Sequence, residues 1–175
     1  MTSLTIKIEQ VGISQLDVVK SILDSGTEFL QSLGFRHWDG FYTRQKVAQY
    51  LNERKVYVLV YEGEPAGTIA TTPEKNSSGW TDNTPSLYLS SIAVLPKYQE
   101  RGLGSVLLGV AEEEARANGA FKIRFDSIQG CDWLSEFYIR RGYTIVGKWG
   151  KPYRKFDYFL YERDLTSQPE TKRAE

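Results

Sequence analysis

Two glycines, Gly102 and Gly104, open a helical pattern and suggest a binding site for phosphate. The residues behind them repeat apolar side chains at the i, i+3, i+4, i+7 spacing of an amphipathic helix: Leu103, Val106, Leu107, Val110 and Ala111. The first amides of a helix lack internal acceptors and carry the positive end of the helix dipole. Since glycine allows a close approach, such a loop can bind phosphate oxygens without basic side chains, and Arg101 adds charge.

Neither common phosphate-binding signature accounts for this loop. The sequence has no G-x-x-x-x-G-K-[ST], and the third glycine of a G-x-G-x-x-G fingerprint would fall at Leu107. That fingerprint also follows its strand at once, whereas residues 96–101 intervene here. A doubly wound nucleotide-binding enzyme, with Gly102 and Gly104 in its turn and Asp126 as its ribose acid, is therefore the weaker alternative.

The strand before this loop, residues 87–94, changes its apolar face halfway along. Leu87 and Leu89 share one parity, and Ile92 and Val94 share the other. A β-bulge at Ser90-Ser91 would absorb the shift and would leave backbone groups free to pair with an extended, amide-containing ligand. A strand buried on both faces would explain the same pattern, and the residues alone leave both interpretations open.

These segments must be positioned by a larger framework, and the chain predicts one of mixed type. The predicted order is β-α-α-β-β-β-α-β-α-β-β, which implies an α/β (α+β) fold. We expect a mixed, mostly antiparallel sheet of about seven strands flanked by about four helices. Ser14, Thr43 and Asp132 are the predicted helix caps, and Leu33 is predicted to face inward at the end of the first helix.

Composition restricts the class of protein. The 175 residues suit a single domain, predicted at 1–165, with a polar and disordered tail at 166–175. The formal net charge is zero, which argues against nucleic acid or an anionic membrane as the main partner. One cysteine and one histidine exclude a disulfide framework and a thiol–imidazole metal cluster, and we expect no metal. A reducing cytoplasm fits the cysteine usage, and the N-terminus lacks an apolar signal core.

The central segment resembles a family motif. The run Ile92-Ala93-Val94-Leu95-Pro96, followed by Gln99-Glu100-Arg101-Gly102-Leu103-Gly104, is similar to the main motif of the GNAT superfamily of N-acetyltransferases. Phe137-Tyr138 with Gly142-Tyr143 resembles the later motif of that superfamily, and the order of elements agrees. The resemblance covers residues 4–163 and is sharp over 87–143.

This resemblance implies acetyl-CoA as co-substrate and assigns roles to residues. Backbone groups of Ile92, Ala93 and Val94 would hold the pantetheine arm, and an N–H of Ile92 or Val94 would bind the oxyanion. Amides of the following corner would hold the pyrophosphate, with Gln99 shaping the loop: Glu100, Arg101, Gly102, Leu103, Gly104 and Ser105. Cys131 stands where relatives often have an asparagine that contacts the pantetheine. A thiol cannot supply an amide donor and acceptor, which puts that contact in question.

Tyr138 lies where the family places the general acid. A tyrosine with a reference pKa of ~10 is protonated at neutral pH and can donate to the departing thiolate. A purely structural core tyrosine is the alternative. Glu28, Asp126, Glu136 or a water chain are open candidates for the base. Cys131 as a nucleophile would need a base such as His37 and is the less favoured route.

The predicted function is transfer of the acetyl group of acetyl-CoA to a primary amine by direct attack in a ternary complex. A non-catalytic acyl-CoA sensor or scaffold with the same fold is the alternative. Trp38, Phe41 and Tyr42 are the acceptor-side candidates, although these aromatics could equally pack their loop onto the sheet. The acceptor, a small molecule or a peptide amine, stays open, as does a homodimer of the kind common among relatives. A basic cluster could meet a phosphate or form a solvated edge: Lys148, Lys151, Arg154 and Lys155.

Overall fold

The computed structural model describes residues 4–73, 80, 82–150 and 155–166. Its elements follow the predicted order: β1 Ile6–Val11, α1 Leu16–Ser32, α2 Arg44–Glu53, β2 Lys55–Tyr61, β3 Glu64–Pro73, β4 Ser86–Val94, α3 Leu103–Ala117, β5 Lys122–Ile128, α4 Asp132–Arg140, β6 Thr144–Gly150 and β7 Asp157–Asp164. Lys151, Arg154 and the predicted tail beyond Thr166 lie outside the described residues. None of the described helices is long and apolar enough to span a bilayer.

The seven strands form one sheet in the order β1-β2-β3-β4-β5-β7-β6. Every neighbouring pair is antiparallel except β4 and β5, which are parallel and joined by the crossover through α3. The predicted mixed, mostly antiparallel sheet with four helices is therefore confirmed. The doubly wound alternative is wrong, because that class requires a mostly parallel sheet.

Helices cover both faces of the sheet. On one face α1 and α2 pack over Val56, Val58 and Ala70. On the other, α3 buries Leu107 and Leu108 completely, and Tyr138 of α4 joins the same core. Burying a leucine side chain of this kind contributes about 1.5–3 kcal/mol. The position of α4 is therefore fixed by the same apolar layer that holds α3.

Helix ends agree with the sequence in one place and differ in two. Thr43 caps α2, where its side chain accepts a hydrogen bond from the Lys46 amide. Ser14 instead lies inside a short 3-10 turn, and Gln15 occupies the cap position of α1. Asp132 is the first residue of α4, and Cys131 is its cap. The inward prediction for Leu33 is wrong: its side chain is 46% exposed because α1 ends one residue earlier.

The predicted bulge in β4 is confirmed, one residue further along than expected. Ser90 pairs with Ala70 and Ala93 pairs with Thr68, so Ser91 and Ile92 together face a single residue of β3. Ser91 has φ +54°, in the left-handed region that a residue with a side chain rarely adopts. The bulge turns Ala93 toward α1, while Ile92 and Val94 pack on the α3 side.

Candidate active site

The site begins where β4 and β5 separate. Their parallel pairing covers three register pairs and ends at Tyr88 opposite Arg124. Both strands continue, β4 to Val94 and β5 to Ile128, without pairing to one another. The facing edges of the two strands are therefore open beyond Tyr88. The backbone of the predicted pantetheine residues, Ile92 to Val94, lies at the open end of β4.

The loop after β4 forms a corner of free backbone amides. Glu100 and Gly102 have φ +62° and +76°, and Gly102 caps α3 without a side-chain partner. Within the described residues, no carbonyl accepts from the amides of residues 100–105, and the first bond of the helix runs from Val106 to Gly102. The side-chain amide of Gln99 donates back to the Val94 carbonyl at 3.5 Å, across the start of the loop. The corner can bind an anion through its N–H groups.

Arg101 lies beside the corner and against the sheet. Its guanidinium is 3.4 Å from the Tyr61 hydroxyl and 5.7 Å from the centre of that ring. Leu103, by contrast, is buried and fixes the first turn of α3 to the core. Burial of Leu103 in the core thus fixes the position of the corner amides, and the Arg101 guanidinium lies beside them.

Gly104 has a role that its sequence pattern does not reveal. A Cβ at this position would lie 3.1 Å from the Phe137 ring, whereas a Cβ at Gly102 would meet nothing within 4 Å. Gly104 therefore lets α4 pack closely against the first turn of α3, and Gly102 is the glycine that faces open space. A side chain at 104 would disturb packing, so it is Gly102 whose substitution reports on the amide corner.

Tyr138 is buried beside the parted strands. Its ring packs on Phe125, Phe137 and Tyr161, with centroids 4.6, 5.3 and 5.2 Å away. Burial raises the pKa of its hydroxyl well above the usual tyrosine value, and the charges of neighbouring ionisable groups, Tyr42 among them, raise it further. A hydrogen bond from Ser127 acts in the opposite direction. The hydroxyl is therefore protonated at neutral pH.

Cys131 is buried and unsuited to nucleophilic attack. Its side chain is 1% exposed and packs with Ile128 and Tyr158. Burial raises the pKa of its thiol, and the adjacent Asp132 adds to the shift, against a hydrogen bond from the Leu134 amide. A thiol is nucleophilic as the thiolate, so this environment disfavours an acyl-enzyme at Cys131.

The three acceptor-side candidates form one aromatic cluster. Trp38 lies over Gly26, its ring 3.0 Å from where a Cβ would stand, and Ala93 of the bulge is 3.4 Å from the same point. Tyr42 packs edge-on against both Trp38 and Phe41, with a centroid distance of 4.9 Å in each case. Phe41 and Tyr42 also contact the Tyr50 ring of α2, at 6.5 and 6.3 Å. The cluster therefore packs between α2 and the bulge of β4.

The candidate bases also differ in position. Glu136 is exposed on α4 and pairs with Arg140 at 3.3 Å, and Glu28 is exposed on α1. Asp126 lies on β5 two residues beyond Arg124, the last residue that pairs with β4. It still pairs with Leu160 of β7. Because strand residues alternate, Asp126 points to the face opposite Phe125, toward the side of α1 and α2. Asp126 is therefore the carboxylate placed beside the separation of the strands.

A pocket next to these residues was not foreseen from the sequence. It has a volume of about 250 Å³, and we call it the loop pocket because three loops form it. Its lining residues are Gly34, Phe35, Arg36, Ile128, Gln129, Lys155, Phe156 and Asp157. These positions are far apart along the chain, so no local pattern indicates that they meet. Among the described residues, no group of three or more acidic, histidine or cysteine side chains is arranged to hold a metal ion.

Comparison with known proteins defines the class. Residues 21–143 match the family model described as the Acetyltransferase (GNAT) family. The chain belongs to this family and is an N-acetyltransferase, as predicted from the two motifs. An uncharacterized N-acetyltransferase of Bacillus subtilis (strain 168), YesJ, is 26% identical over 158 residues, which cover 86% of this chain and 85% of that protein.

Solved structures share the fold. A ribosomal-protein-alanine N-acetyltransferase from Brucella melitensis superposes with a TM-score of 0.69 at 19% identity, covering 90% of this chain and 99% of the other. The PaiA N-acetyltransferase from Thermoplasma acidophilum, solved with coenzyme A, has a TM-score of 0.68 at 16% identity, covering 91% and 99%. These likenesses confirm the predicted architecture.

Proposed function

We propose that this protein transfers the acetyl group of acetyl-CoA to a primary amine by direct attack in a ternary complex. The observation that carries the proposal is the parting of β4 and β5 between the amide corner and the buried Tyr138. The reaction needs the pyrophosphate of the cofactor to be held at one end of the site and an acid to stand beside the thioester at the other end. The opening between the two strands connects these two positions.

The residues present fit acetyl-CoA. The free amides of residues 100–105 suit the pyrophosphate, and the open backbone of Ile92, Ala93 and Val94 suits the amides of the pantetheine arm. The coenzyme supplies the thioester that the amine attacks. Cys131 is buried under the start of α4, so we assign it to packing there rather than to a polar contact with the cofactor.

The chemistry requires a donor for the oxyanion and a proton for the leaving thiolate. A backbone N–H of Ile92 or Val94 can donate to the developing oxyanion. Tyr138 holds its proton at neutral pH and can deliver it to the thiolate. The amine must be neutral to attack, and Asp126 is positioned on the acceptor face to take its proton through water. The C–N bond forms as the C–S bond breaks, which leaves an amide and coenzyme A.

The test is release of free coenzyme A thiol from acetyl-CoA in the presence of pooled primary amines. Dependence of release on amine supports the enzyme. The non-catalytic acyl-CoA sensor predicts stabilisation without release. Saturation with ligand at a hundredfold excess over Kd raises the free energy of unfolding by about 2.7 kcal/mol, so a thermal scan detects binding in either case. Absence of both effects would refute acetyl-CoA as the co-substrate.

A further inference from the structure

The bulge of β4 contains a strained residue. Ser91 has φ +54°, in a region that residues with a side chain rarely adopt. Its hydroxyl oxygen is buried and has no hydrogen-bond partner among the described residues. Strained residues of this kind persist only where neighbouring contacts hold them, and they are frequent at functional sites. The contacts on both sides of Ser91 therefore determine whether the bulge keeps its shape.

Close packing holds the bulge on its carboxyl-terminal side. A Cβ at Gly67 of β3 would lie 2.9 Å from the Ala93 carbonyl oxygen, and a Cβ at Gly26 of α1 would lie 3.4 Å from the Ala93 Cβ. Thr68 of β3 pairs with Ala93 in the register of the sheet. Ala93 is thus enclosed by β3 and α1 and has little room to move.

The direction of the backbone amides after the bulge follows from one hydrogen bond. The Leu95 amide donates to the Ala66 carbonyl of β3 at 2.8 Å. Since successive N–H groups along a strand point to opposite sides, the N–H groups of Ile92 and Val94 point away from β3. They face the opening between β4 and β5, where the proposed oxyanion donor must lie. A slip of one residue would turn them toward β3.

A polar contact holds the bulge on its amino-terminal side. Arg54, the residue that follows α2, reaches across β3 and donates from Nη1 to the Ser90 Oγ at 2.6 Å. Its guanidinium lies 4.0 Å from the centre of the Tyr50 ring, which fixes the direction of the side chain. Ser90 pairs with Ala70 of β3 and is the last residue before the strained position. The bond therefore joins α2 to the start of the bulge.

Arg54 differs in its partner from other arginines that face the interior. Arg124 lies 2.6 Å from a carboxylate oxygen of Asp82, and Arg163 lies 2.6 Å from one of Glu112. Arg54 is half-buried, and within the part of the chain that the structure describes its side chain bonds only a neutral hydroxyl. Burial of a charge without an opposite charge is unfavourable. A gain in stability therefore does not by itself explain this arrangement.

We infer that Arg54 is a positioning residue for acetyl transfer, which holds the bulge in the register that turns the N–H groups of Ile92 and Val94 to the opening. The inference rests on the proposed reaction, in which one of these groups binds the oxyanion. Arg54 contacts neither the cofactor nor the reacting atoms and acts through Ser90. Its removal leaves Ser91 strained on one side without support, so the regular strand becomes the more favourable arrangement.

The first arm of the test removes the contact from either end. Arg54→Met and Ser90→Ala should each lower kcat by about tenfold or more, because even a small misplacement of a catalytic group can slow an enzyme greatly. The double variant should be no slower than the slower single variant, since both changes remove the same bond. The measurement is thiol release from acetyl-CoA with whichever amine of the pooled set is acetylated fastest, under conditions in which chemistry limits turnover.

Arg44→Met is the matched control for this arm. Arg44 is the first residue of the same helix, is exposed, and pairs with Asp17 far from the bulge. Its substitution should leave kcat unchanged. An unchanged kcat for Arg54→Met, or losses that add in the double variant with Ser90→Ala, would overturn the inference.

The second arm supplies the strained conformation without the contact. Glycine adopts positive φ as readily as negative φ, so Ser91→Gly no longer needs to be held. Adding Ser91→Gly to Arg54→Met should recover most of the lost kcat, whereas Ser91→Gly alone should change kcat little. Glu62→Gly is the matched control, because Glu62 has φ +51° in the turn between β2 and β3. Equal recovery with both glycines, or recovery with neither, would contradict the role of Arg54.

Backbone resonances separate this inference from the proposed reaction. The amide nitrogen and proton shifts of Ile92 and Val94 are recorded by nuclear magnetic resonance without coenzyme. We expect them to move in Arg54→Met, to return toward the parent values when Ser91→Gly is added, and to stay in place in Arg44→Met. This pattern supports the inference even if no amine is acetylated. Turnover by the parent protein, with unmoved shifts in Arg54→Met, would refute the inference and leave the acetyltransferase reaction standing.

Discussion

At the scale of single residues, Tyr138 combines a role in packing with the proposed role of general acid. Its ring is part of an aromatic cluster with Phe125 and Tyr161, and its hydroxyl keeps the proton because of burial. A tyrosine that merely filled this core could be replaced by phenylalanine without an effect on rate. Removal of the Tyr138 hydroxyl alone therefore distinguishes the packing role of the ring from the proposed catalytic role of the hydroxyl.

Tyr138→Phe should lower kcat by about 10²-fold or more while acetyl-CoA still binds, because a general acid contributes about 10²–10⁴-fold. The measurement is thiol release under conditions in which the chemical step limits turnover. Tyr143→Phe is the matched control, since Tyr143 is equally buried in the same cluster and bonds Glu112 at 3.3 Å. An undiminished kcat for Tyr138→Phe would exclude it as the acid.

Gly102 allows the amide corner to be tested by charge alone. Gly102→Asp and Gly102→Asn place nearly identical side chains at a left-handed position that both residues tolerate, in space that is open. We expect the aspartate variant to bind acetyl-CoA about tenfold more weakly than the asparagine variant, because its carboxylate repels the pyrophosphate. Isothermal titration measures both affinities. Equal values would place the pyrophosphate elsewhere.

At the scale of elements, the contact between α3 and α4 links the amide corner to Tyr138, the proposed acid. Gly104 and Phe137 meet where the two helices cross, and Tyr138 is the next residue along α4. The G-x-G pattern predicted Gly104 as part of the phosphate loop. That pattern does not show that a side chain at this position would project toward α4. Its packing role depends on Phe137 of α4, which is 33 residues further along the chain and could not be located from local spacing.

Gly104→Ala should lower the free energy of unfolding by about 1–2 kcal/mol, because its Cβ would press on the partly buried Phe137 ring at 3.1 Å. Gly109→Ala on the same helix is the control. Its Cβ would meet the mobile end of Arg141 at 3.3 Å, and the gain in helix propensity should stabilise the protein by about 0.5–1 kcal/mol. Urea denaturation measures both.

Phe137→Leu, added to Gly104→Ala, should recover part of the lost stability because it makes room for the methyl group. If the single Gly104→Ala variant proved as stable as Gly109→Ala, the close approach of α3 and α4 would be refuted.

Local elements were predictable where the signal was local. Thr43 caps α2 as expected, and the change of parity in β4 located the bulge to within one residue. Asp132 was misplaced by one position because an acidic residue suits the first turn as well as the cap, and the thiol of Cys131 gives no capping signal. The packing of Tyr42 between Trp38 and Phe41 and the loop pocket depend on tertiary packing, which spacing along the chain does not encode.

At the scale of the whole molecule, the partly buried Tyr57 makes stability depend on alkaline pH. Burial and the neighbouring Glu114 raise the pKa of Tyr57 to about 12. The unfolded chain releases this proton near pH ~10, whereas the folded chain keeps it, so the folded state binds more protons in that interval. The free energy of unfolding is therefore undiminished below about pH 10 and falls as the pH rises further.

Tyr57→Phe should flatten that alkaline decline, since the group responsible for part of it is gone. At neutral pH the same variant should lose about 1 kcal/mol with its hydrogen bond to Glu114, which keeps its bonds to Thr71 and Lys55. Urea midpoints measured from pH 7 to pH 11 provide the comparison. A parallel decline in the variant and the parent protein would show that Tyr57 does not contribute.

The short junction between β4 and β5 has a further consequence for turnover. Three register pairs join the two halves of the sheet, and beyond Tyr88 the two strands form no backbone hydrogen bonds with each other. In the proposed complex, a pantetheine arm would pair with these open strand edges and so would join the two halves of the sheet while the coenzyme is bound. Release of coenzyme A would then break the hydrogen bonds that join the two strand edges through the ligand. The rate of product release would therefore depend on how easily β4 and β5 move apart.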